Sequence, residues 1–476
     1  MPLLAALRGG MSVPNGVAAG ADERYVFLPS SSSNGGAAPL AAADEAHAVK
    51  PQLAPLDGVR GLSALVVVVG HLLTFFVPRA VPKGDEYAFL HGGHPAPFGL
   101  EYLSAVTLFF VVSGFTLVSV YEKPAPHGAP PPLSTPEQRR EFIRRRIARL
   151  APVYALGLLI GVVPYVVYNL SEPLAFAFGV PSALLCIQSI VLYAATGWDG
   201  PLWTVSALAI CYALFPRLLS SLRRRTYAQL RIIGIVCGCI SAAIGIGFLQ
   251  AGLNLTWVLH FFVGFRIPQF VLGMTAALMT QRRPLRRPVL RAELFGFLLL
   301  LNFAACAIIT AACVDRVRVY VWLLYSHYAE FLLPGLHAAW LSALASPAGA
   351  HGPSARLLSS APLRRLGDVS YALYCTHFPV LVWAGWAVAR KGVSADAVSW
   401  KTPNIVGGWF EFPTWAIAPL VAVCLAVAAL AHAALEKPAR SAIAKRGAQP
   451  AAAPDAELAA AADGAALQAA ASTTKG

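Results

Sequence analysis

The chain has 476 residues, 57% hydrophobic and only 13% charged, with a net charge of +14 and a mean hydropathy of +0.61. A soluble globular chain carries about 25% charged residues, so the two or three soluble domains that the length alone would permit are excluded. So basic a soluble protein would suggest a nucleic-acid partner, but here the basic residues sit in short clusters between apolar runs. That pattern orients membrane spans, and no nucleic-acid partner is expected.

In chain order, residues 1–50 are rich in Ala, Gly and Ser, and too poor in large apolar residues to bury a core. They are predicted to be a disordered tail, as is the Ala-rich stretch 447–476. Met1–Leu7 is too short for the apolar region of a signal peptide. The first hydrophobic helix, from near Leu56, is therefore expected to act as an uncleaved insertion signal.

Apolar segments near the 17–25 residues needed to cross about 30 Å of hydrocarbon fall at 56–77, 100–121, 148–168, 201–220, 231–250, 256–279, 290–313, 320–345, 369–390 and 413–435. A further stretch at 174–195 leaves the count between ten and eleven, and the loop charges decide. The connection 122–149 carries Lys123, Arg139, Arg140, Arg144, Arg145, Arg146 and Arg149, and 217–231 carries Arg217, Arg223, Arg224, Arg225 and Arg231. Both are therefore cytosolic, and an even number of spans must separate them. The 174–195 stretch, with Pro181 inside it, is predicted to be re-entrant or interfacial. The clusters Arg282–Arg291 and Arg356–Arg365 fit the same scheme. The expected fold is an all-α polytopic membrane protein of about ten spans with both termini cytosolic. The sequons at Asn169 and Asn254 then face the other side, close to helix ends. The eight cysteines lie in or beside apolar segments without metal-ligand spacing, and read as small core hydrophobes, not as disulfides or metal ligands.

A charged side chain at the bilayer centre costs about 2.5–3.5 kcal/mol on insertion scales, so intramembrane ionisable residues are functional candidates. The mid-depth set is His71, Arg266, His327, Glu330 and His377. Each alone could serve helix packing; together they are better explained by a polar site. On the first span, eleven residues separate Arg60 from His71, which returns to within roughly 20° of the same face about 16 Å deeper. Asp57, three residues before Arg60, can hold its guanidinium. A cation at the rim with an imidazole at depth suits an anionic cytosolic substrate whose reactive end reaches His71. The ninth span repeats the arrangement with Ser370, Tyr374 and His377 on one stripe and Tyr371 off it. Arg145, Arg146 and Arg149 open the third span. They read either as plain topogenic charge or as bidentate phosphate ligands.

Seven blocks in order resemble the acyltransferase 3 family of integral-membrane O-acyltransferases. They are LDGVRGLSALVVVVGH (56–71), LFFVVSGFTL (108–117), FIRRRIARLAPVY (142–154), PLWTVSALAICYALFP (201–216), FRIPQFVLGM (265–274), LGDVSYALYCTHFP (366–379) and EKPAR (436–440). The resemblance covers about 53–440 and implies a ten-span fold. It also implies no tightly bound cofactor, a cytosolic acyl-CoA co-substrate and transfer of a short acyl group, often acetyl, to a carbohydrate or related acceptor. It maps an Arg-x10-His element onto Arg60 and catalytic His71, an Arg-x-x-Arg element onto Arg146 and Arg149, and a Ser-Gly-Phe element onto Ser113, Gly114 and Phe115. The tryptophan block places Trp203 in the site, and the Arg-Ile-Pro block places Arg266 there.

Two departures stand out: where many members carry carboxylates, this chain has Leu208 and Gln269, and Glu330 is the candidate substitute. The implied mechanism docks the CoA phosphates on Arg60, Arg145, Arg146 and Arg149 and brings the thioester to His71. That residue then serves as general base or as acyl-carrying nucleophile for a carbohydrate or lipid acceptor. Two rival readings are a proton-coupled transporter, which lacks support from any internal repeat, and a non-catalytic binding relative.

Overall fold

The structure of the chain, a computed structural model, describes residues 53–75, 101–122, 131–169, 173–191, 200–251, 260–312, 330–388 and 414–448. Among these residues every regular element is helical. The long helices are α1 (Ala54–Phe75), α2 (Glu101–Tyr121) and α3 (Pro136–Asn169). A short α4 (Val180–Leu184) follows a single π-turn, Ala175–Gly179. Next come α5 (Trp203–Leu222), α6 (Tyr227–Ala251), α7 (Ile267–Arg282), α8 (Pro288–Ala312) and α9 (Pro334–Leu344). The chain continues through α10 (Pro353–Leu358), α11 (Ala361–Val388), α12 (Ile417–Ala431) and α13 (Lys437–Ala448). The predicted tails fall outside the described residues, apart from Gly447 and Ala448 at the end of α13.

Among the described residues eight helical stretches, around α1, α2, α3, α5, α6, α7, α8 and α12, are long and apolar enough to cross a bilayer. Helix α11 has the length, 28 residues, but carries Thr376, His377 and Pro379 at mid-helix. Large side chains such as Leu159 on α3, Leu300 and Ile308 on α8, and Leu430 on α12 point outward and are exposed. Such a belt would drive aggregation in water and suits a lipid-facing surface. The protein is a polytopic membrane protein.

Three departures from the expected spans have local causes. Helix α3 starts twelve residues before the predicted 148, because Thr135 and Gln138 form a reciprocal cap, with Gln138 N donating to Thr135 Oγ1 (3.3 Å) and Ser134 N to Gln138 Oε1 (3.0 Å). The sixth predicted span is not continuous: Phe262 is extended (φ −72°, ψ 122°), and α7 restarts at Ile267 with Pro268 in its first turn. The eighth is interrupted by a turn at Leu332 and Leu333, ahead of Pro334, with Leu333 still in the helical region (φ −73°, ψ −18°).

The 174–195 stretch holds no helix long enough to cross. Tyr165 packs on Phe176 (ring centroids 5.7 Å apart), while Tyr154 donates to Ala183 O (2.6 Å) and accepts from Gln188 Nε2 (2.7 Å). Eleven residues of α3 separate those tyrosines, so the segment descends about 16 Å beside it. It turns at Cys186 (φ 55°) and binds back through Ser189 to Ser206 Oγ (2.8 Å) and Val263 N (3.1 Å). The described part of the segment thus descends and turns back, held by hydrogen bonds to α3, α5 and Val263, a path compatible with the re-entrant expectation.

The basic loops gather at one end of the bundle: Arg223 pairs with Glu122 (2.9 Å) and bonds Pro132 O (3.0 Å), and Arg282 bonds the carbonyls of Arg223 and Arg225. Helix α1 lies along α11 more extensively than along any other element. The approach is backbone to backbone: a Cβ on Gly61 would strike Gly367 N and the carbonyl of Leu363, and one on Gly367 would strike Asp57 O. Ten residues further along, His71 meets His377, so the two helices run parallel. Small residues permit such contact between helices in lipid.

Gly61→Ala should therefore lower the apparent melting temperature in detergent, although alanine is the better helix former by up to about 1 kcal/mol. A variant as stable as the wild type in a thermal-aggregation assay would show that the α1–α11 contact does not constrain the fold.

Candidate active site

A cavity of about 820 Å³, including its open mouth, enters from the basic end. Its mouth carries Arg60, Arg146 and Arg149, and its walls include Ser113, Leu208, Tyr212, Ser370, Tyr371 and Tyr374. On α2 the lining runs from Leu117 to Val106, a depth of about 16 Å. The helix phase explains which arginines take part. Arg146 and Arg149, three apart, share a face, whereas Arg145 is rotated by about 100° from Arg146. Arg145 is half exposed and bonds Glu141 (2.6 Å), away from the cavity. The expected set of docking arginines thus loses Arg145 to the outer face of α3.

Each remaining cation is held differently. Arg60 bonds Asp57 Oδ1 (2.5 Å), the i,i+3 pair expected from sequence. Arg149 lies 3.7 Å from Glu436, which is fully buried and also pairs with His432 (2.9 Å) and Arg440 (3.6 Å). A π-turn over His432–Glu436 between α12 and α13 turns both acid and imidazole inward. Such bulges recur at functional sites. Arg146 has no carboxylate partner among the described residues; its guanidinium sits over the rings of Phe142 (5.2 Å), Tyr212 (5.7 Å) and Tyr121 (5.8 Å). An aromatic cradle leaves its charge uncompensated beside an open cavity.

Tyr371, expected off the polar stripe of α11, also reaches the cavity wall, where its hydroxyl donates to Leu150 O (2.7 Å). That bond to α3 depends on the neighbouring helix, not on the phase of α11 alone. At the inner end Tyr374 stands edge-on to Phe109 (5.6 Å) and His377 (5.9 Å). His71 itself does not line the cavity; its Nδ1 lies 2.8 Å from His377 Nε2, one ring beyond Tyr374. Ser113 faces the cavity, but its neighbour Gly114 serves packing, since a Cβ there would meet Phe270 O on α7.

Trp203 and Arg266 belong to a second, enclosed centre. Arg266 is fully buried and ion-paired with Glu330, which also accepts from His260 Nδ1 (2.6 Å). Trp203 lies 5.2 Å beneath the guanidinium and 4.9 Å from the His260 ring. Both charges sit at the helix breaks before Pro268 and Pro334, where carbonyls lose their helical partners. Gln269 Nε2 (3.0 Å) and Thr107 Oγ1 (3.2 Å) donate to Glu330 O, and Arg266 Nη2 donates to His260 O (2.5 Å). Glu330 thus supplies the negative charge that Gln269 lacks. The mid-depth residues separate into two centres, His71 with His377 and Arg266 with Glu330, while His327 lies outside the described residues. Sequence reasoning passed over His260 and Glu436; the Pro-initiated restart after the first and the Glu-Lys-Pro run at the second were their only local signals.

The site is thus a basic-mouthed cavity running toward buried histidines in a helical membrane protein. Comparison with known proteins supplies the class: residues 53–435 match the acyltransferase 3 family, described as an acyltransferase domain. The chain belongs to that family, and it is an acyltransferase. It is similar to acyltransferase MdmB of Streptomyces mycarofaciens, 26% identical over 363 residues covering 69% of this chain and 79% of that one. It also resembles protein 2 in the picA locus of Rhizobium radiobacter, 28% identical over 178 residues, 34% of this chain and 80% of that one. No solved structure matches.

Removing one member of a buried ion pair typically costs about 3–5 kcal/mol, because the other charge is left uncompensated. Glu330→Gln should accordingly yield little detergent-stable protein, and Arg266→Gln/Glu330→Gln should recover part of the loss. Size-exclusion profiles and melting temperatures read both; a Glu330→Gln protein of wild-type stability would contradict the assignment.

Proposed function

We propose that the protein transfers a short acyl group, acetyl being the simplest, from cytosolic acyl-CoA to a hydroxyl of a carbohydrate, lipid or small-molecule acceptor, through His71. The observation that carries this reading is the cavity. Three cations stand at its mouth, Arg146 among them with no counter-charge among the described residues, and its inner end stops at Tyr374 beside the His71–His377 pair. The CoA phosphates dock on Arg60, Arg146 and Arg149, where guanidinium forks suit phosphate oxygens. The pantetheine arm follows the apolar wall of Val106, Phe109 and Leu117 inward. His71 takes the acceptor's hydroxyl proton as the oxygen attacks the thioester carbonyl. The C–S bond then breaks, and the thiolate leaves with that proton as CoA-SH. The cavity opens at the end where the basic loops gather, which is the cytosolic side under the charge rule. That matches where the donor is found.

His71→Ala should abolish acyl transfer from radiolabelled acetyl-CoA while leaving the melting temperature close to wild type. Retention of more than about a tenth of the activity, a loss of only ~1.4 kcal/mol in barrier, would remove His71 from the chemistry. Arg146→Ala is expected to act on binding, raising KM for the CoA ester about tenfold or more with a smaller fall in kcat. An unchanged KM would sink phosphate docking at that arginine.

A further inference from the structure

We propose that His377 is a positioning residue that fixes the tautomer of His71, keeping the proton on His71 Nδ1 and a lone pair on Nε2. The inference deepens the reading of His71 as the reacting group and rests on it for its functional meaning.

The assignment follows from a chain of hydrogen bonds that can be read in one direction only. His377 Nδ1 lies 2.8 Å from Tyr374 O and 3.1 Å from Leu373 O. Carbonyl oxygens only accept, so Nδ1 of His377 carries a hydrogen. A neutral imidazole has one N–H, which makes His377 Nε2 an acceptor. The atom 2.8 Å from it, His71 Nδ1, must then be the donor, and in a neutral His71 that places the lone pair on Nε2.

The alternative, a doubly protonated His377, would bury a charge. His377 is fully buried and touches no acidic side chain among the described residues, so that form is disfavoured. The ring geometry agrees. The two imidazoles are parallel to within 5° with centroids 5.1 Å apart. Nitrogens at 2.8 Å are closer than the roughly 3.5 Å of face-to-face contact, so the rings meet edge to edge in a shared plane. The acceptor's in-plane lone pair then points at the N–H.

The support for this bond lies in the helices. The local bonds to Leu373 and Tyr374 orient His377, and the glycine contact of α1 with α11 sets the register that brings His71 to it. Here an imidazole does the orienting that a carboxylate does in a serine protease triad, where the wrong tautomer is severely damaging.

The test uses full-length protein in detergent, labelled with ¹⁵N-histidine, with the His71 signals identified by their absence in His71→Ala. Wild type should show His71 protonated at Nδ1 and unprotonated at Nε2. His377→Gln keeps an acceptor and should preserve that tautomer, whereas His377→Leu should give a mixture. In acyl-transfer assays His377→Leu should lose about 100-fold or more in kcat with KM for the CoA ester within twofold, and His377→Gln should recover at least tenfold of that loss. A proton on Nε2 in the wild type overturns the proposal. So does an unmoved tautomer in His377→Leu, or a Gln variant no better than Leu by either readout. The spectra decide the tautomer even if the protein transfers nothing from acyl-CoA, so failure of the donor assignment would be seen separately.

Discussion

The close approach of α1 to α11 is the constraint on which the site depends. Gly61 and Gly367 put two backbones in direct contact, with no side chain between them. Lipid offers no hydrophobic force to hold helices together, so close backbone packing has to do it. Because both helices start at the basic end and run parallel, one contact near their beginnings sets the register along their length. That register delivers His71 to His377 at depth while leaving Arg60 at the rim. A shift of one residue would rotate His71 by about 100° and take its Nδ1 away from its partner.

Charge is managed at two levels of the bundle by different means. At the basic end, Arg60 and Arg149 are partly balanced by Asp57 and Glu436, and Arg146 is cradled by aromatic rings. The balance is incomplete, which suits an anion that arrives and leaves. In the interior, Arg266 and Glu330 neutralise each other, with further bonds to His260 and Gln269. The place of this enclosed pair at two broken helices points to a scaffold role. The breaks expose carbonyls that the buried side chains satisfy, which is how irregular backbone survives at membrane depth.

The carboxylates that many family members carry at the positions of Leu208 and Gln269 are absent here, and the structure shows two different consequences. Leu208 makes that part of the cavity wall apolar. Gln269 remains inside the ionic centre as a neutral donor and acceptor, bonded to Arg266 and to the backbone of Glu330. The carboxylate that balances Arg266 is that of Glu330, 64 residues further along the chain.

The sequence by itself determined the class of protein and most of its long apolar helices, and it located the basic clusters in the loops between them. Hydrophobic length and loop charge are local quantities, and the membrane converts them directly into architecture. It also placed Asp57 on Arg60, because an i,i+3 pair on a helix needs no knowledge of neighbours. The orientation of each helix about its own axis was another matter. Whether Arg145 or Arg146 faced the cavity, and whether Tyr371 joined Tyr374, depended on which flank of α3 and α11 met the other helices. The partners of the buried groups were equally out of reach, since His71 and His377 lie 306 residues apart. Only the packed bundle, with its glycine contact and its Pro-initiated breaks, decided that the four described intramembrane candidates pair as His71 with His377 and Arg266 with Glu330, because the cost of burying each polar group is met by whichever partner the fold brings within about 3 Å.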